Sequence, residues 1–431
     1  MLPKCGVNIR QLSARACPRW ARRPPGQARG RFHPSRSNAF SEGGTGLWPV
    51  DFGVSPKSPF DVLGRVKFAR KRLGQHARNE ADYWSIRLVT SAATAPSKLA
   101  EATLSSIMPS VSRRIVFMFA GQGSQYYSMG RELYERIPSF RHWLDLCSEH
   151  LKPALKLFLA EFLYRERPNR FAPFDQVLLT HPAVFCINYS MAKTLIEEGV
   201  QPNALLGYSL GELVAWTLAG TLQLEQALNM VVEMARLVEQ RTPPAAMLAV
   251  LVPASLMETH PEVFRGATLA CVNYAANFVV TGSQADLAAT EKAVKHLGVP
   301  CQMLPITRGF HSPLIDPAEA PFVELASRLN LRPEQVPVFS SMLGRQASLT
   351  DIDSRYFWNV IRQRVTFWET VRLMESQSPA VYIDVGPSGT LASFIRQILG
   401  PESVSSAHPL MTPFGKELER IQKLRAGLDL R

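Results

Sequence analysis

The segment LLGYSLGELVAW (residues 205–216) carries the pattern G-x-S-x-G between two different kinds of sequence. Residues 203–207 are apolar and suit a buried strand, whereas residues 210–220 have helical spacing and end at a glycine. A strand, a tight turn with serine at its apex and a helix together form a nucleophile elbow. The hydroxyl of Ser209 would then lie at a helix N-terminus, where free N–H groups can stabilise a negative oxygen. The alternative is an ordinary strand-to-helix turn with a serine cap.

Basic charge is concentrated in the first quarter of the chain. The 431 residues carry a formal net charge of +12, and residues 1–110, with 18 Lys+Arg and 6 Asp+Glu, account for all of it. The remaining residues are neutral overall, which argues against a basic nucleic-acid-binding surface. No run approaches about 18 apolar residues, the length at which a spanning helix is expected. The sequence therefore predicts neither a nucleic-acid partner nor a membrane span.

Residues 1–110 do not have the pattern of a domain. The first 41 residues contain nine Lys or Arg and no acidic residue, which is typical of an organellar transit peptide. The other interpretation is that translation begins at Met108, because the first predicted strand follows it within a few residues. We favour the start at Met108, since a leader this long and rich in helix breakers is unusual. A cytoplasmic location is expected, or a mitochondrial one if the segment includes a real transit peptide.

The rest of the chain alternates short apolar runs with amphipathic helical patterns, which is typical of an α/β fold. Between its first and last predicted strands, the region 246–308 has the order β-α-β-β-α-β of a ferredoxin-like unit. We expect this unit to be a small domain inserted into a body with a parallel sheet, formed by residues 111–245 and 309–400. Residues 401–431 are expected to be a C-terminal tail.

Ser209 needs a base, because a serine hydroxyl is a poor nucleophile until a neighbour takes its proton. His311 lies in the turn GFHSP, where the chain leaves the predicted small domain. Loops at domain junctions are where clefts and their catalytic groups tend to lie. A purely structural histidine is the alternative for this position taken alone.

The loop GQGSQ (residues 121–125) follows a predicted strand, so its N–H groups can point into the crevice at the carboxyl ends of parallel strands. It lacks the G-K-[ST] and G-x-G-x-x-G patterns of phosphate-binding loops. The six cysteines form no C-x-x-C pair, and no Cys/His cluster has zinc spacing. The sequence therefore predicts no metal site.

Four motifs now stand in one order along the chain: FAGQGSQYYSMG, GYSLGE, the βαββαβ insertion and GFHSPLIDP. This set resembles the malonyl-CoA:acyl-carrier-protein transacylase (acyltransferase) family. That family includes free-standing malonyltransferases of fatty-acid synthesis and acyltransferase domains of polyketide synthases. The likeness extends over residues 113–400, and it implies an α/β-hydrolase-like body.

The resemblance also implies roles for individual residues. Ser209 would attack the thioester carbonyl of an acyl-CoA, with His311 as general base and then as general acid. The family orients its histidine with a backbone carbonyl, which gapless matching places at Val360. The N–H groups of Gln122 and Leu210 would form the oxyanion hole. The phosphopantetheine thiol of an acyl carrier protein would then accept the acyl group.

One position departs from the malonyl-specific members, in which an arginine 25 residues after the serine pairs with the substrate carboxylate. Counting from Ser209 reaches Met234. Arg236 is about 200° further round a helix and should point elsewhere. A buried charge without its partner costs roughly 2–5 kcal/mol, so a pocket at Met234 should prefer an uncharged acyl group. The alternative is that another basic residue, such as Arg308, supplies the charge.

Three further residues are expected to contact the substrate. Tyr208 stands where the family has histidine before its serine, and Phe310 lies beside His311. His181 replaces glutamine in the family's T-Q-P-A segment. It is expected either to line the acyl pocket or to cap its helix.

The resemblance thus implies an acyl-CoA:acyl-carrier-protein acyltransferase, similar to acyl-carrier-protein S-malonyltransferase, in fatty-acid or polyketide synthesis. The expected substrates are malonyl-CoA or another acyl-CoA, with no bound cofactor, and the expected partner is an acyl carrier protein. A monomer is the family expectation. One alternative is a thioester hydrolase that acts on acyl carrier proteins with the same two residues. A catalytically idle carrier-binding protein is the competing class.

Overall fold

A six-stranded sheet forms the larger of two sheets in this computed structural model, which describes residues 113–164 and 172–428. Every described residue belongs to one compact unit. The predictions for residues 1–110 lie outside the described residues, which begin at residue 113. The strands of the large sheet are β1 (Arg114–Phe119), β2 (Ala204–Gly207), β7 (Val338–Ser340), β8 (Arg345–Ala347), β9 (Ala380–Asp384) and β10 (Ser406–Pro409).

The order of this sheet is β10-β9-β1-β2-β7-β8, and all neighbours are parallel except β7 and β8. Strand β1 lies in the middle because its sequence RIVFMF is apolar on both faces, and Val116 to Phe119 are fully buried. Its register pairs Phe119 with Gly207 of β2. The loops that follow β1 and β2 therefore leave the sheet side by side, at the edge where open α/β sheets bind ligands.

Helices cover this sheet and connect its strands. The α-helices are α1 (Arg131–Arg136), α2 (Pro138–Leu155), α3 (Leu159–Tyr164), α4 (Val177–Glu197), α5 (Gly211–Leu218), α6 (Leu224–Arg241), α7 (Leu256–Thr259), α8 (Gln284–His296), α9 (Glu319–Ala326), α10 (Tyr356–Arg362), α11 (Phe367–Gln377), α12 (Thr390–Ile398) and α13 (Glu417–Gly427). Two short 3₁₀ helices lie at Pro313–Ala318 and Leu349–Asp351. None of the helices in the described ranges combines the length and the apolarity needed to span a bilayer.

The second sheet is antiparallel, with the order β4-β5-β3-β6. Its strands are β3 (Ala245–Val250), β4 (Ala267–Tyr274), β5 (Asn277–Ser283) and β6 (Cys301–Met303). With α7 and α8, the elements follow in the predicted succession β-α-β-β-α-β. One face of this sheet has its own apolar core, which includes Leu248, Phe278 and Leu287.

The segment predicted to be a tail after residue 400 is instead part of the large sheet. It supplies β10, which pairs in parallel with β9, and helix α13. The N-terminus of α13 is held by Glu132, whose carboxylate accepts the N–H of Glu417 at 2.9 Å. The short, polar strand Ser-Ala-His-Pro gave no strand pattern in the sequence, because an edge strand has little apolar surface to bury.

Candidate active site

The predicted strand, turn and helix around Ser209 are all present. Strand β2 ends at Gly207, helix α5 begins at Gly211, and Ser209 lies between them with a backbone φ of 51°. A positive φ is uncommon for a residue with a side chain, and such strained positions cluster at functional sites. The hydroxyl group is therefore presented at the carboxyl end of β2 and at the N-terminus of α5.

Three glycines allow the chain to pack this closely at the elbow. A Cβ atom at Gly211 would overlap the carbonyl oxygen of Phe119, and one at Gly207 would overlap the backbone of Glu212. A Cβ atom at Gly121 would lie 2.8 Å from the carbonyl oxygen of Tyr208. The loop after β1 and the elbow after β2 are thus in direct backbone contact.

His311 meets Ser209 across this edge of the sheet. The distance from Oγ of Ser209 to Nε2 of His311 is 2.8 Å. Nδ1 of His311 donates a hydrogen bond of 2.7 Å to the backbone carbonyl of Gln363, which leaves Nε2 free to accept the serine proton. Burial lowers the pKa of His311 to about 4, although the bond to Gln363 opposes this shift. The imidazole is therefore neutral near pH 7 and able to act as a base.

The predicted orienting carbonyl at Val360 is wrong, because the acceptor is three residues further along the chain. Helix α10 ends at Arg362, and Gln363 turns to an extended conformation with ψ of 160°. Its carbonyl therefore leaves the helix direction and points to the imidazole. The neighbouring carbonyl of Ile361 accepts the backbone N–H of His311 at 2.8 Å. Two carbonyls at the end of α10 thus fix both the backbone and the ring of His311.

The loop that contains Gln122 is held by its own side chains. Oε1 of Gln125 accepts the N–H of Gly123 at 2.7 Å, and its Nε2 donates to the carbonyl of Phe174 at 3.0 Å. Within the described part of the chain, the backbone N–H groups of Gln122 and Leu210 donate to no other residue. They remain available for an oxygen atom beside Ser209.

Ser209 and His311 open into a small cavity of about 50 Å³. Gln122, His181, Tyr208 and Phe310, which were expected to contact the oxyanion or the substrate, all line it. The sequence did not indicate the remaining lining residues, which come from the small sheet and from the segment after it: Met247, Cys271, Val279, Leu304 and Ile306. The alternation along β3, β4 and β5 indicates two faces, but not which of them meets the large sheet.

Met234 is not among the residues that line the cavity, contrary to the prediction. It is fully buried in α6, within the main apolar core. Arg236 lies elsewhere, as expected, and pairs with Glu233 at 2.5 Å. The alternative cation, Arg308, donates instead to the carbonyls of Thr307 and Glu239 at 2.9 and 3.3 Å. None of the lining residues in the described ranges is a lysine or an arginine.

His181 lines the cavity rather than capping its helix. Gln176 occupies the N-cap of α4, and His181 lies within the first turns with its ring 5.1 Å from the ring of Phe310. Its Nδ1 donates to the carbonyl of Val177 at 3.3 Å. Burial lowers the pKa of His181 to about 4, so this ring is also neutral near pH 7.

The arrangement of Ser209 and His311 suits acyl transfer. A serine with a neutral histidine in contact, the histidine held by a carbonyl, is an activated nucleophile. In residues 113–164 and 172–428, no group of three or more His, Cys, Asp or Glu side chains is placed to hold a metal ion.

Comparison with known proteins agrees with this chemistry. Residues 116–428 match the family model described as the acyl transferase domain. The chain is 35% identical over 307 residues to the polyketide biosynthesis acyltransferase homolog PksD of Bacillus subtilis (strain 168), which covers 71% of this chain and 94% of that protein.

Solved structures are similar as well. A loading acyltransferase from the avermectin modular polyketide synthase superimposes with a TM-score of 0.67 at 25% identity, covering 73% of this chain and 99% of that one. The MCAT structure from Streptococcus pneumoniae, with a TM-score of 0.61 at 22% identity, covers 72% and 100% and supports the fold alone.

The fold and the family match together define an acyltransferase of α/β architecture. The chain belongs to the acyl transferase domain family, and the family resemblance read from the sequence is confirmed.

Proposed function

We propose that this chain transfers an uncharged acyl group from CoA to the phosphopantetheine thiol of an acyl carrier protein, in polyketide or fatty-acid synthesis. The observation that carries the proposal is the contact of 2.8 Å between Oγ of Ser209 and Nε2 of His311, with Gln363 behind the histidine. The names of the relatives support the pathway. They do not specify the acyl group.

The proposed reaction has two half-reactions. Ser209 attacks the thioester carbonyl while His311 takes its proton, and the N–H groups of Gln122 and Leu210 stabilise the oxyanion. One such donor is worth about 3–4 kcal/mol in a hydrolase. His311 then returns the proton to the departing CoA thiolate. The carrier thiol attacks the acyl-serine ester in the same way, and Ser209 regains its proton.

The cavity supports an uncharged acyl group. No lysine or arginine lines it among the described residues, and His181 and His311 are both neutral near pH 7. A malonyl carboxylate buried here would have no cation to pair with, at a cost of roughly 2–5 kcal/mol. Met234 lies outside the cavity and has no part in this selectivity.

A second candidate is hydrolysis of acyl groups from a carrier protein with the same dyad. One observation favours it: a cavity of about 50 Å³ beside Ser209 leaves room for a few water molecules. Water that reaches the acyl-serine would replace the carrier thiol as the second nucleophile. The products would then be free acid and free carrier.

We also propose a domain arrangement for the chain. The strand order of the small sheet supports a ferredoxin-like domain at residues 246–308, inserted into an α/β-hydrolase-like body at 111–245 and 309–400. CoA is a substrate in this scheme and not a bound cofactor. A monomeric state and a cytoplasmic location, or a mitochondrial one, stay predictions.

The test is to mix the full chain with holo-carrier protein and, in separate reactions, acetyl-CoA, malonyl-CoA and a longer acyl-CoA. Intact mass spectrometry then reads both proteins, with Ser209→Ala as the control. Acetyl or longer adducts on enzyme and carrier, without malonyl adducts, are the expected result. Malonyl adducts would contradict the uncharged-pocket argument. Loss of acyl groups from a preloaded carrier as free acid would identify the hydrolase.

A further inference from the structure

Glu212 is a buried carboxylate that has no role in the two half-reactions. It lies in the first turn of α5, three residues after Ser209, and is fully buried. Burial raises the pKa of Glu212 to about 7, although the hydrogen bonds it accepts oppose this shift. A carboxylate in such a place is costly unless hydrogen-bond donors surround it, so its contacts are informative.

The first oxygen of Glu212 holds the turn that follows β7. Oε1 accepts the N–H of Met342 at 2.8 Å and the hydroxyls of Ser340 and Ser341 at 3.1 and 3.3 Å. The carbonyl of Ser341 in turn accepts both the N–H and the hydroxyl of Thr366, each at 2.6 Å. This turn therefore links Glu212 to a residue just beyond Gln363.

The second oxygen holds the start of α10. Oε2 accepts the hydroxyl of Tyr356 at 2.9 Å, and that hydroxyl accepts the indole N–H of Trp216 at 3.2 Å. Trp216 is one helical turn after Glu212 on α5. Helix α5, which begins at the nucleophile elbow, is thus bonded directly to the first residue of α10.

These two sets of contacts lie on either side of the carbonyls that hold His311. Tyr356 precedes Ile361 and Gln363, and Thr366 follows them. The segment 356–366 is therefore fixed at both of its ends by partners of one carboxylate. That carboxylate belongs to the helix whose N-terminus carries Ser209.

We propose that Glu212 is a positioning residue for acyl transfer, which fixes the segment 356–366 relative to the elbow and so sets the Ser209–His311 contact. The inference rests on the proposed Ser–His dyad. The backbone N–H of Glu212 donates to the carbonyl of Ser209 at 2.8 Å, as in any first helical turn, but its carboxylate bonds to neither residue of the dyad among the described residues. The carboxylate therefore acts through the backbone of this segment. Without it, the two halves of the site would still form, but their separation would vary.

The test measures the reaction of Ser209 with a fluorophosphonate probe, which requires an activated serine and no knowledge of the acyl group. The readouts are the maximal labelling rate and the half-saturating probe concentration, both followed by intact mass spectrometry. The full-length wild-type chain should be labelled and Ser209→Ala should not, which checks the dyad itself. If the wild-type chain is not labelled, the dyad is wrong, and the inference is wrong with it.

Four variants separate positioning from stability. Glu212→Ala should lower the maximal rate by at least about 10-fold with little change in half-saturation, because displacements of about 1 Å are costly to catalysis. Tyr356→Phe, which removes only the bond to α10, should lower it by about 3- to 10-fold on the same reasoning. Glu212→Gln should retain most of the wild-type labelling rate, since an amide can accept from the N–H of Met342 and donate to the hydroxyl of Tyr356.

The matched control is Asp384→Ala. Asp384 is also fully buried with a raised pKa of about 6, and it accepts the N–H groups of Gly386 and Ala392 at 2.9 and 3.0 Å. It has no hydrogen bond to the segment 356–366. It should lose stability like Glu212→Ala but keep a labelling rate near the wild-type value. An equal loss of rate in both variants, or an unchanged rate in Tyr356→Phe, would overturn the inference. If Glu212→Ala does not fold, the labelling rate of Tyr356→Phe alone tests the inference.

Discussion

The hydroxyl of Tyr208 donates a hydrogen bond of 2.8 Å to Oδ1 of Asn273 and so joins the nucleophile elbow to strand β4 of the small sheet. The same hydroxyl lies 3.1 Å from Sγ of Cys271. Asn273 is itself held by Asn277, whose Oδ1 accepts its side-chain N–H at 2.7 Å. The residue beside the nucleophile therefore fixes the cavity wall that the small sheet provides.

Tyr208→Phe should destabilise the protein by about 1–3 kcal/mol, because it leaves a buried acceptor on Asn273 without a donor. Chemical denaturation measures the free energy of unfolding. Tyr274→Phe is the control, since Tyr274 is half-buried on the same strand and its hydroxyl bonds to none of the described residues. Equal unfolding midpoints for the two variants would show that the bond is not made.

His311→Asn should lower the rate of Ser209 labelling by a fluorophosphonate by about 10²- to 10⁴-fold, which is the usual contribution of a general base. The fold should persist, because asparagine can still donate to the carbonyl of Gln363. His408→Asn is the matched variant, since His408 lies on β10 and bonds to Ser406. A labelling rate for His311→Asn within a few-fold of the wild-type rate would remove the histidine from the proposed mechanism.

The pH dependence of labelling follows from the pKa of His311, which burial lowers from 6.5 to about 4. The ring is uncharged, and so able to act as a base, at every pH well above 4. We expect titration of His311 to change the labelling rate little between pH 8 and 6. The rate should fall by half near pH 4. A half-point near 6.5 would mean that the ring is solvated.

Between pH 6.5 and 4 the unfolded chain binds a proton at this histidine that the folded chain does not, so its contribution lowers stability as the pH falls.

Gly211→Ala should prevent folding or destabilise the protein by more than about 3 kcal/mol, because the new Cβ would overlap the carbonyl of Phe119 and push β1 and the elbow apart. Thermal unfolding followed by circular dichroism gives the measurement. Gly400→Ala is the control, since no heavy atom of the described residues beyond its two chain neighbours lies within 4 Å of a Cβ placed there. It should change stability by less than about 0.5 kcal/mol. A stable Gly211→Ala protein would mean that β1 and the elbow are further apart than described.

Features that depend on neighbouring residues in the sequence were predicted well. The run RIVFMF and the elbow at Gly207, Ser209 and Gly211 are local patterns, so their structures follow from apolar periodicity and glycine spacing. The order of the small sheet's elements was also predicted, because turn residues separate its short strands. These elements bring Ser209, His311 and the loop of Gln122 to one edge.

Features that depend on packing between distant segments were predicted poorly. Val360 was chosen by gapless matching to the family, which could not show that the backbone leaves the helix at Gln363. Met234 was chosen by counting 25 residues from Ser209, although the packing of α6 against α4 decides which of its side chains are buried in the main core. Strand β10 was missed because its pairing with β9, and not its own sequence, makes it a strand.

The position of β1 in the large sheet has a consequence for the order in which the site can assemble during protein synthesis. Strand β1 emerges from the ribosome before every other described strand, yet one of its two neighbours, β9, is among the last to emerge. The elbow and His311 are both translated while this side of β1 still lacks its partner. A nascent chain should therefore hold all the reactive side chains and remain inert. A chain arrested before β9 should therefore not react with a serine-directed probe.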